Sequence, residues 1–294
     1  MMTNTSAGPS SPASLATSLL ESRSQADWDA KRNDPINIQL GDLDGYYHHH
    51  FAVTGFNRGI LETQGDELEA LILKEMHRLE NEQVSIILDA MGDVSPEASV
   101  MDAGSGRGGT SYMIGNRFGC HVHGVNFCEH HVEFARDVGR ERGWDERVRF
   151  HLANMIATPF DGQSMDFVVS NETTMYVELH EAFREFARVL RPGGRYIGVT
   201  WCANDQVAWK SPVIETINSH YVCEIHPRAV YFKALADNGL VPLKVANLTA
   251  DTIPYWELRS HSRLATGIEK AFLEAHSTNA LNYIVFVAER APKG

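Results

Sequence analysis

Residues 100–109 read Val-Met-Asp-Ala-Gly-Ser-Gly-Arg-Gly-Gly, a hydrophobic run that stops in a glycine-rich turn and leads into a helical stretch over 110–118. Without Cβ atoms, Gly104, Gly106 and Gly108 let the backbone lie against a bulky ligand, and a turn feeding a helix can aim amide N–H groups at it. Asp102 stands just ahead of the first glycine. This is the pattern of a nucleotide-type cofactor site. The spacing Gly104-x-Gly106-x-x-Gly109 also fits the dinucleotide fingerprint, in which an acid about 20 residues on bonds a ribose. Here the second strand, 121–125, ends at Asn126. Asparagine can still bond a ribose hydroxyl, but the carboxylate is missing, so a nicotinamide reading is weakened and stays open.

The elements that would position these residues follow from the hydrophobic pattern. Residues 150–155 read as a third strand whose polar end, Asn154, could bond an adenine amino group beside Met155. Residues 165–172 read as a fourth strand ending in Asn171 and Glu172; a helix over 178–189 and the turn Leu190-Arg-Pro-Gly-Gly194 lead to a fifth strand, 195–201. Strand and helix in alternation impose parallel order and right-handed crossovers, with ligands beyond the C-terminal strand ends. Upstream, Leu68, Leu71, Ile72, Met76 and Leu79 return at three- and four-residue steps, which predicts an amphipathic helix within 64–91, with a further helical stretch at 85–91. Downstream, 203–221 reads as a partly helical insert, 227–238 as a helix, 240–248 as strand six, 257–276 as one long helix and 282–289 as strand seven. Residues 1–24, rich in Ser, Thr, Ala and Pro, are expected to be a disordered tail. A helical and cap segment then covers 25–98, and the core covers 99–294 with a cap insert at about 203–226.

Composition narrows the function. The chain of 294 residues is 43% hydrophobic and carries a formal net charge of −12, so its own field opposes capture of nucleic acid. No apolar run approaches the roughly 18 residues that span a bilayer, and the N-terminus lacks the layout of a secretory signal, so a cytoplasmic, non-membrane protein is expected. Cys120, Cys128, Cys202 and Cys223 lack metal-ligand spacing and are expected to be buried thiols. His48, His49 and His50 are adjacent, a spacing that rarely converges on one ion.

Residues 101–109, 165–172 and 190–194, in that order and spacing, resemble the class I S-adenosylmethionine methyltransferases. The resemblance implies an α/β, Rossmann-like, doubly wound seven-stranded sheet, mostly parallel, with strands six and seven antiparallel at its edge. The N-terminal extension and the insert after strand five would form the cap. We assign Asp102, Gly104, Gly106 and Gly108 to the cofactor loop, Asn126 and Phe127 to the ribose and adenine side, Asn154 and Met155 to the adenine amine and face, and Asn171 to the same site. The two cap segments are aromatic, with Tyr46, Tyr47, Phe51 and Phe56 in one and Trp201, Trp209 and Tyr221 in the other, joined by Tyr255 and Trp256. Such rings can enclose an apolar chain and stabilise a cation. Asn37, Gln39, Tyr46 and Tyr47 are neutral hydrogen-bonding groups suited to a diphosphate that already carries Mg²⁺; Arg58 and Arg259 are expected at the surface, with direct contact to the diphosphate as the alternative.

The stretch 33–51, the run Ser170-Asn-Glu-Thr-Thr-Met-Tyr176 and the post-strand-five insert resemble the bacterial geranyl diphosphate 2-C-methyltransferases from about Asp34 to the C-terminus. That resemblance implies methyl transfer from S-adenosylmethionine to C2 of geranyl diphosphate, through a C3 cation and loss of the C2 proton, toward 2-methylisoborneol. It implies Glu172 as base and cation stabiliser, with Tyr46, Tyr47 or a diphosphate oxygen as alternative proton relays. Trp201, Tyr221 and Trp256 would line the substrate, and the product would pass to a terpene cyclase. Metal ligands and oligomeric state are left unassigned. The rival readings are another small-molecule methyltransferase, acting on an amine or a lipid alkene, and a non-catalytic binder of the same cofactor.

Overall fold

The computed structural model describes residues 15–206 and 211–292. Seven strands form one sheet: β1 (Ser99–Ala103), β2 (His121–Asn126), β3 (Val148–Leu152), β4 (Met165–Asn171), β5 (Leu190–Ala203), β6 (Leu240–Asn247) and β7 (Leu281–Arg290), in the order β3-β2-β1-β4-β5-β7-β6. The first five are parallel, and β7 inserts antiparallel between β5 and β6. The winding direction reverses between β1 and β4, and a crevice opens at their C-terminal ends.

Alternating side chains bury both faces of the sheet. Val100 joins one core layer with Ile72, Met76 and Ile87 of helix α2 (Gly65–Met91) and with Tyr112 and Ile114 of α3 (Gly109–Phe118). Met101 and Ala103 join the other layer with Phe183 and Phe186 of α5 (Leu179–Val189) and Tyr231 of α7 (Arg228–Asp237). Helix α4 (Glu129–Arg142) follows β2, and α6 (Pro212–Tyr221) lies in the insert after β5.

Several boundaries differ from expectation for identifiable reasons. Residues 15–24 are ordered: Ser18 caps helix α1 (Leu19–Ala30) by accepting from the Glu21 amide at 3.1 Å, and Glu21 and Ser24 are buried. Residues 1–14, and Trp209 of the expected cap, lie outside the described residues. The strand expected over 150–155 ends at Leu152, because Asn154 turns the chain by accepting from the Ile156 amide at 3.2 Å. Residues 64–91 hold one continuous helix, and the long helix expected over 257–276 is two, α8 (Thr249–Arg259) and α9 (Glu269–Ser277). The Glu269 carboxylate accepts from the amides of Thr266 and Gly267 at 3.2 and 2.8 Å and from Arg259 Nε at 3.0 Å, closing the bend that separates them. All four cysteines are free and buried. Among the described residues, no helix is long and apolar enough to cross a membrane.

The glycine loop sits where it does because β2 lets a ring pass beneath it. A Cβ on Gly124 would lie 2.5 Å from Phe150 Cδ1 and 3.0 Å from Ser105 Cβ. Gly124→Ala is therefore expected to overpack this junction and lower stability by about 1–3 kcal/mol. A denaturant midpoint that falls at unchanged m-value is the expected measurement, and an unchanged midpoint would show that Phe150 yields freely.

Candidate active site

The loop after β1 is built for close approach more than for donation. Gly104 has φ 83°, and a Cβ there would lie 2.5 Å from Thr173 Cγ2. The amides of Gly104 and Ser105 both donate to the Val125 carbonyl, that of Gly108 to Ser105 and that of Gly109 to Tyr47. The sequence expectation of a row of N–H groups facing the ligand thus fails at those four positions, which suits a ligand without phosphates better than a pyrophosphate. Asp102 lines the cleft, its carboxylate accepting from Ser111 Oγ at 2.6 Å, and burial pushes its pKa up to about 6.

This cleft, about 880 Å³, is lined by Asp102, Gly104, Gly106, Asn126, Phe127, Met155, Asn171, Glu172, Trp201 and Tyr221 from the expected set, and by Trp28, His49, Thr173 and Tyr176, which sequence reasoning missed. Asn126 Oδ1 accepts from the Cys128 amide at 2.8 Å, leaving Nδ2 as the donor it can offer a ligand oxygen. Tyr47 also lines the cleft, with its hydroxyl donating to Asp42 at 2.8 Å.

Five expected contacts are placed elsewhere. Asn154 Nδ2 donates to Glu21 Oε2 at 2.8 Å and to the Leu15 carbonyl at 3.1 Å, so it fastens the N-terminal helix and does not line the cleft. Gly108 has φ 92° and starts α3; a Cβ on it would strike Phe150, which is a packing role. Tyr46 stacks on Trp144 at 5.1 Å and accepts from Asn116, away from both clefts, so its catalytic assignment is corrected. Gln39 is exposed and lines neither. Trp256 stacks on Phe272 at 3.8 Å behind Phe51, backing the cap instead of lining it.

Glu172 follows the last residue of β4 in the left-handed region, with φ 56°, and its side chain is buried. A non-glycine residue there carries strain of about 1–3 kcal/mol, tolerated only where the surroundings hold it. Oε1 accepts from the Phe51 amide at 3.0 Å and from the Tyr283 hydroxyl. Oε2 makes no hydrogen bond of good geometry, the Trp201 indole N–H being the further donor beside this carboxyl, and Tyr221 Oη and Ser105 Oγ are buried without a partner around the same cleft. Burial raises the Glu172 pKa to about 8, although the Tyr283, Phe51 and Trp201 donors pull it back.

A second cleft of about 640 Å³ shares Trp28, His48, His49, His50, Phe51 and Tyr221 with the first, and adds Lys31, Asp34, Asn37, Glu80, Tyr255 and Arg259. Arg259 is buried and paired with Glu269 at 3.0 Å, against the expectation of a surface role, whereas Arg58 is exposed and paired with Glu257. Glu80 accepts from Tyr255 at 2.8 Å, and burial lifts its pKa to about 7. His48 and His50 pack ring against ring at 4.5 Å, His48 bonding Asn81 and His50 the Phe51 carbonyl, while His49 stacks on Trp28 at 5.1 Å. Burial holds His48 down to about 4 and His50 well below the usual range, so both are neutral.

A buried carboxyl whose folded pKa is raised stays neutral in the fold while its unfolded counterpart ionises, so stability falls as pH rises from about 4.5 to about 8. Glu172→Gln keeps both acceptor contacts without that cost. Its melting temperature is expected to match the parent near pH 4.5 and to exceed it by on the order of 10 °C at pH 8, for about 4 kcal/mol at about 2–4 °C per kcal/mol. A gap independent of pH in calorimetric scans would contradict the burial of an ionisable group here.

A methyltransferase-domain family model matches residues 101–198. A geranyl diphosphate 2-C-methyltransferase of Saccharopolyspora erythraea is 46% identical over 263 residues, covering 90% of this chain and 92% of its own. One of the same name from Streptomyces coelicolor is 42% identical over 257 residues, covering 87% and 88%. The crystal structure of the Streptomyces coelicolor geranyl diphosphate C-methyltransferase with Mg²⁺, geranyl-S-thiolodiphosphate and S-adenosyl-L-homocysteine matches with TM-score 0.91 at 40% identity, over 95% of this chain and 100% of that one. With identity of this order along nine-tenths of its length, the same seven-stranded sheet and a glycine loop facing a buried carboxyl, the chain belongs to the geranyl diphosphate 2-C-methyltransferase family of class I methyltransferases.

Proposed function

We propose that this chain transfers a methyl group from S-adenosylmethionine to C2 of geranyl diphosphate and removes the C2 proton, giving (E)-2-methylgeranyl diphosphate. The observation that carries the reading is the unpartnered Oε2 of Glu172, buried in a cleft that runs from the glycine loop to a compartment holding Lys31 and Arg259. The donor, when bound, supplies an electrophilic methyl on a sulfonium, and Mg²⁺ on the diphosphate offsets part of that group's negative charge.

The residues divide the work by chemistry. Asp102, Asn126 and the loop at Gly104 and Gly106 suit an adenosyl group that is hydroxyl-rich and lacks phosphate. Lys31, Asn37 and Arg259 suit diphosphate oxygens, and Asp34 and Glu80 are the carboxylates available to Mg²⁺. Among the described residues no group of three or more His, Cys, Asp or Glu converges on a metal, which fits an ion held largely by phosphate oxygens and water. Trp28, Tyr176, Trp201 and Tyr221 enclose the apolar chain and exclude water that would quench a cation.

Attack of the C2=C3 electrons on the methyl carbon leaves positive charge at C3. Glu172 stabilises that charge in a dry cleft and accepts the C2 proton at Oε2, the C–H electrons restoring the double bond. A cation sharing the cleft favours the carboxylate form of Glu172, so the base is charged in the loaded site though neutral at pH 7 in the empty one. The product keeps its allylic diphosphate, the chemistry a terpene cyclase ionises, and we assign the chain to terpenoid synthesis upstream of such an enzyme.

Incubation with both substrates, with and without Mg²⁺, is expected to give S-adenosylhomocysteine and an eleven-carbon diphosphate by mass. Glu172→Gln is expected to bind the donor normally and lose about 10²–10⁴-fold in kcat. Donor binding with no S-adenosylhomocysteine formed from geranyl diphosphate would overturn the reading, and near-parental turnover by the variant would remove Glu172 from the proton step.

A further inference from the structure

Beneath Glu172 lies a chain of buried polar groups whose middle members, Gln83 and Tyr283, line neither cleft. Gln83 of α2 is fully buried; its Nε2 donates to Asn171 Oδ1 at 2.7 Å and to the Tyr283 hydroxyl at 3.1 Å, and its Oε1 accepts from Asn171 Nδ2 at 3.0 Å. Asn171 Nδ2 also reaches Thr110 Oγ1 at 3.3 Å, beside the glycine loop. Tyr283 of β7, 1% exposed, in turn donates to Glu172 Oε1. Gln83 and Tyr283 line neither cleft, whereas Thr110, Asn171 and Glu172 line the first.

The sense of this chain is set at its Glu172 end. An ionised carboxylate only accepts, so the single hydrogen of Tyr283 is directed to Glu172, the Tyr283 oxygen accepts from Gln83 Nε2, and the reciprocal amide pair of Gln83 with Asn171 takes the matching orientation. Oε1 therefore has two donors, the Phe51 amide and Tyr283, while Oε2 is left for a ligand. A carboxyl group rotated about its Cγ–Cδ bond would exchange these roles. Every link is buried, where losing a partner is costly and a fully satisfied chain is stiff.

We propose that Tyr283 and Gln83 are positioning residues that lock the Glu172 carboxylate with Oε2 facing C2 of the substrate and tie its placement to the donor side of the site through Asn171. The proposal rests on the C-methylation reading above. Its functional content is fidelity: once charge has formed at C3, protons can leave from C2, C4 or the C3 methyl, or water can add, and only a base held at C2 selects the first.

Tyr283→Phe keeps the ring and removes the hydroxyl. It is expected to leave both KM values within about threefold, lower kcat roughly 10- to 100-fold, and divert part of the product to isomers with the double bond moved from C2 or to a hydrated diphosphate, read by NMR and chromatography. The acid limb of the kcat profile is expected to move to higher pH, because the lost donor favoured the carboxylate. The other titratable groups facing Glu172, which are Glu80 of α2, Tyr221 of α6 and Tyr176 ahead of α5, are unchanged in this variant. Gln83→Met leaves the Tyr283 hydroxyl but removes the group that orients it, and is expected to give the same diversion at smaller amplitude. Either variant, folded by its melting curve and binding donor, with a single parental product and an unmoved pH profile would overturn the proposal. Failure of the parent chain to methylate geranyl diphosphate would instead overturn the activity on which it rests.

Discussion

A carboxyl group withdrawn from water with one oxygen satisfied and the other bare is the constraint around which this molecule is arranged. Glu172 sits in a left-handed backbone conformation at the end of β4, so the strand cannot simply continue, and its side chain is carried over the crevice between β1 and β4. Four elements reach it or its partners: the 48–51 segment through the Phe51 amide, β7 through Tyr283, α2 through Gln83 and β5 through Trp201. Burial raises the pKa of the group and disfavours its charge, a cost that the positive charge of the proposed reaction would offset. Local destabilisation and chemical use are thus the same feature.

The cap follows from the same requirement. A cation reacting in contact with water would be quenched, so rings close the cleft: Phe51 is stacked on Trp201 at 5.2 Å, Trp256 on Phe272 behind it, and Trp28 arrives from α1 to stack on His49. Charge is segregated across this wall. Lys31 and Arg259 face one compartment and Glu172 the other, with Phe51 and Tyr221 between them, which in the proposed reaction keeps the diphosphate apart from the carboxylate. The histidine run contributes neutral rings to the partition, His48 packed on His50.

Much of this was legible in the sequence. Gly104 and its neighbours, the period of 165–172 and the apolar stripe of α2 are local signals with one structural solution, and they located the sheet, the crevice and Glu172. The failures are of a different kind. Helix α1 docks through polar bonds from Glu21, Ser24 and Gln25, leaving no apolar period to read. Adjacent Tyr46 and Tyr47 diverge in an extended segment, and composition does not tell which one turns inward. Asn154 has the right chemistry for an adenine but is consumed by α1, a contact between residues 133 positions apart. Gln83 and Glu80 did leave a trace: they interrupt the buried series Leu79, Gln83, Ile87 and Ile72, Met76, Glu80, Val84, and polar residues in a buried stripe mark a network or a site.

The central claim is that Glu172 Oε2 removes the C2 proton after the methyl has been transferred. Turnover of geranyl diphosphate deuterated at C2 tests it most directly. The account requires an eleven-carbon diphosphate with no deuterium remaining at C2 from the parent chain, and from the Glu172→Gln chain a residual turnover in which that selectivity is lost. Methylated product that retains the C2 deuterium, or equal selectivity with and without the carboxylate, would contradict it.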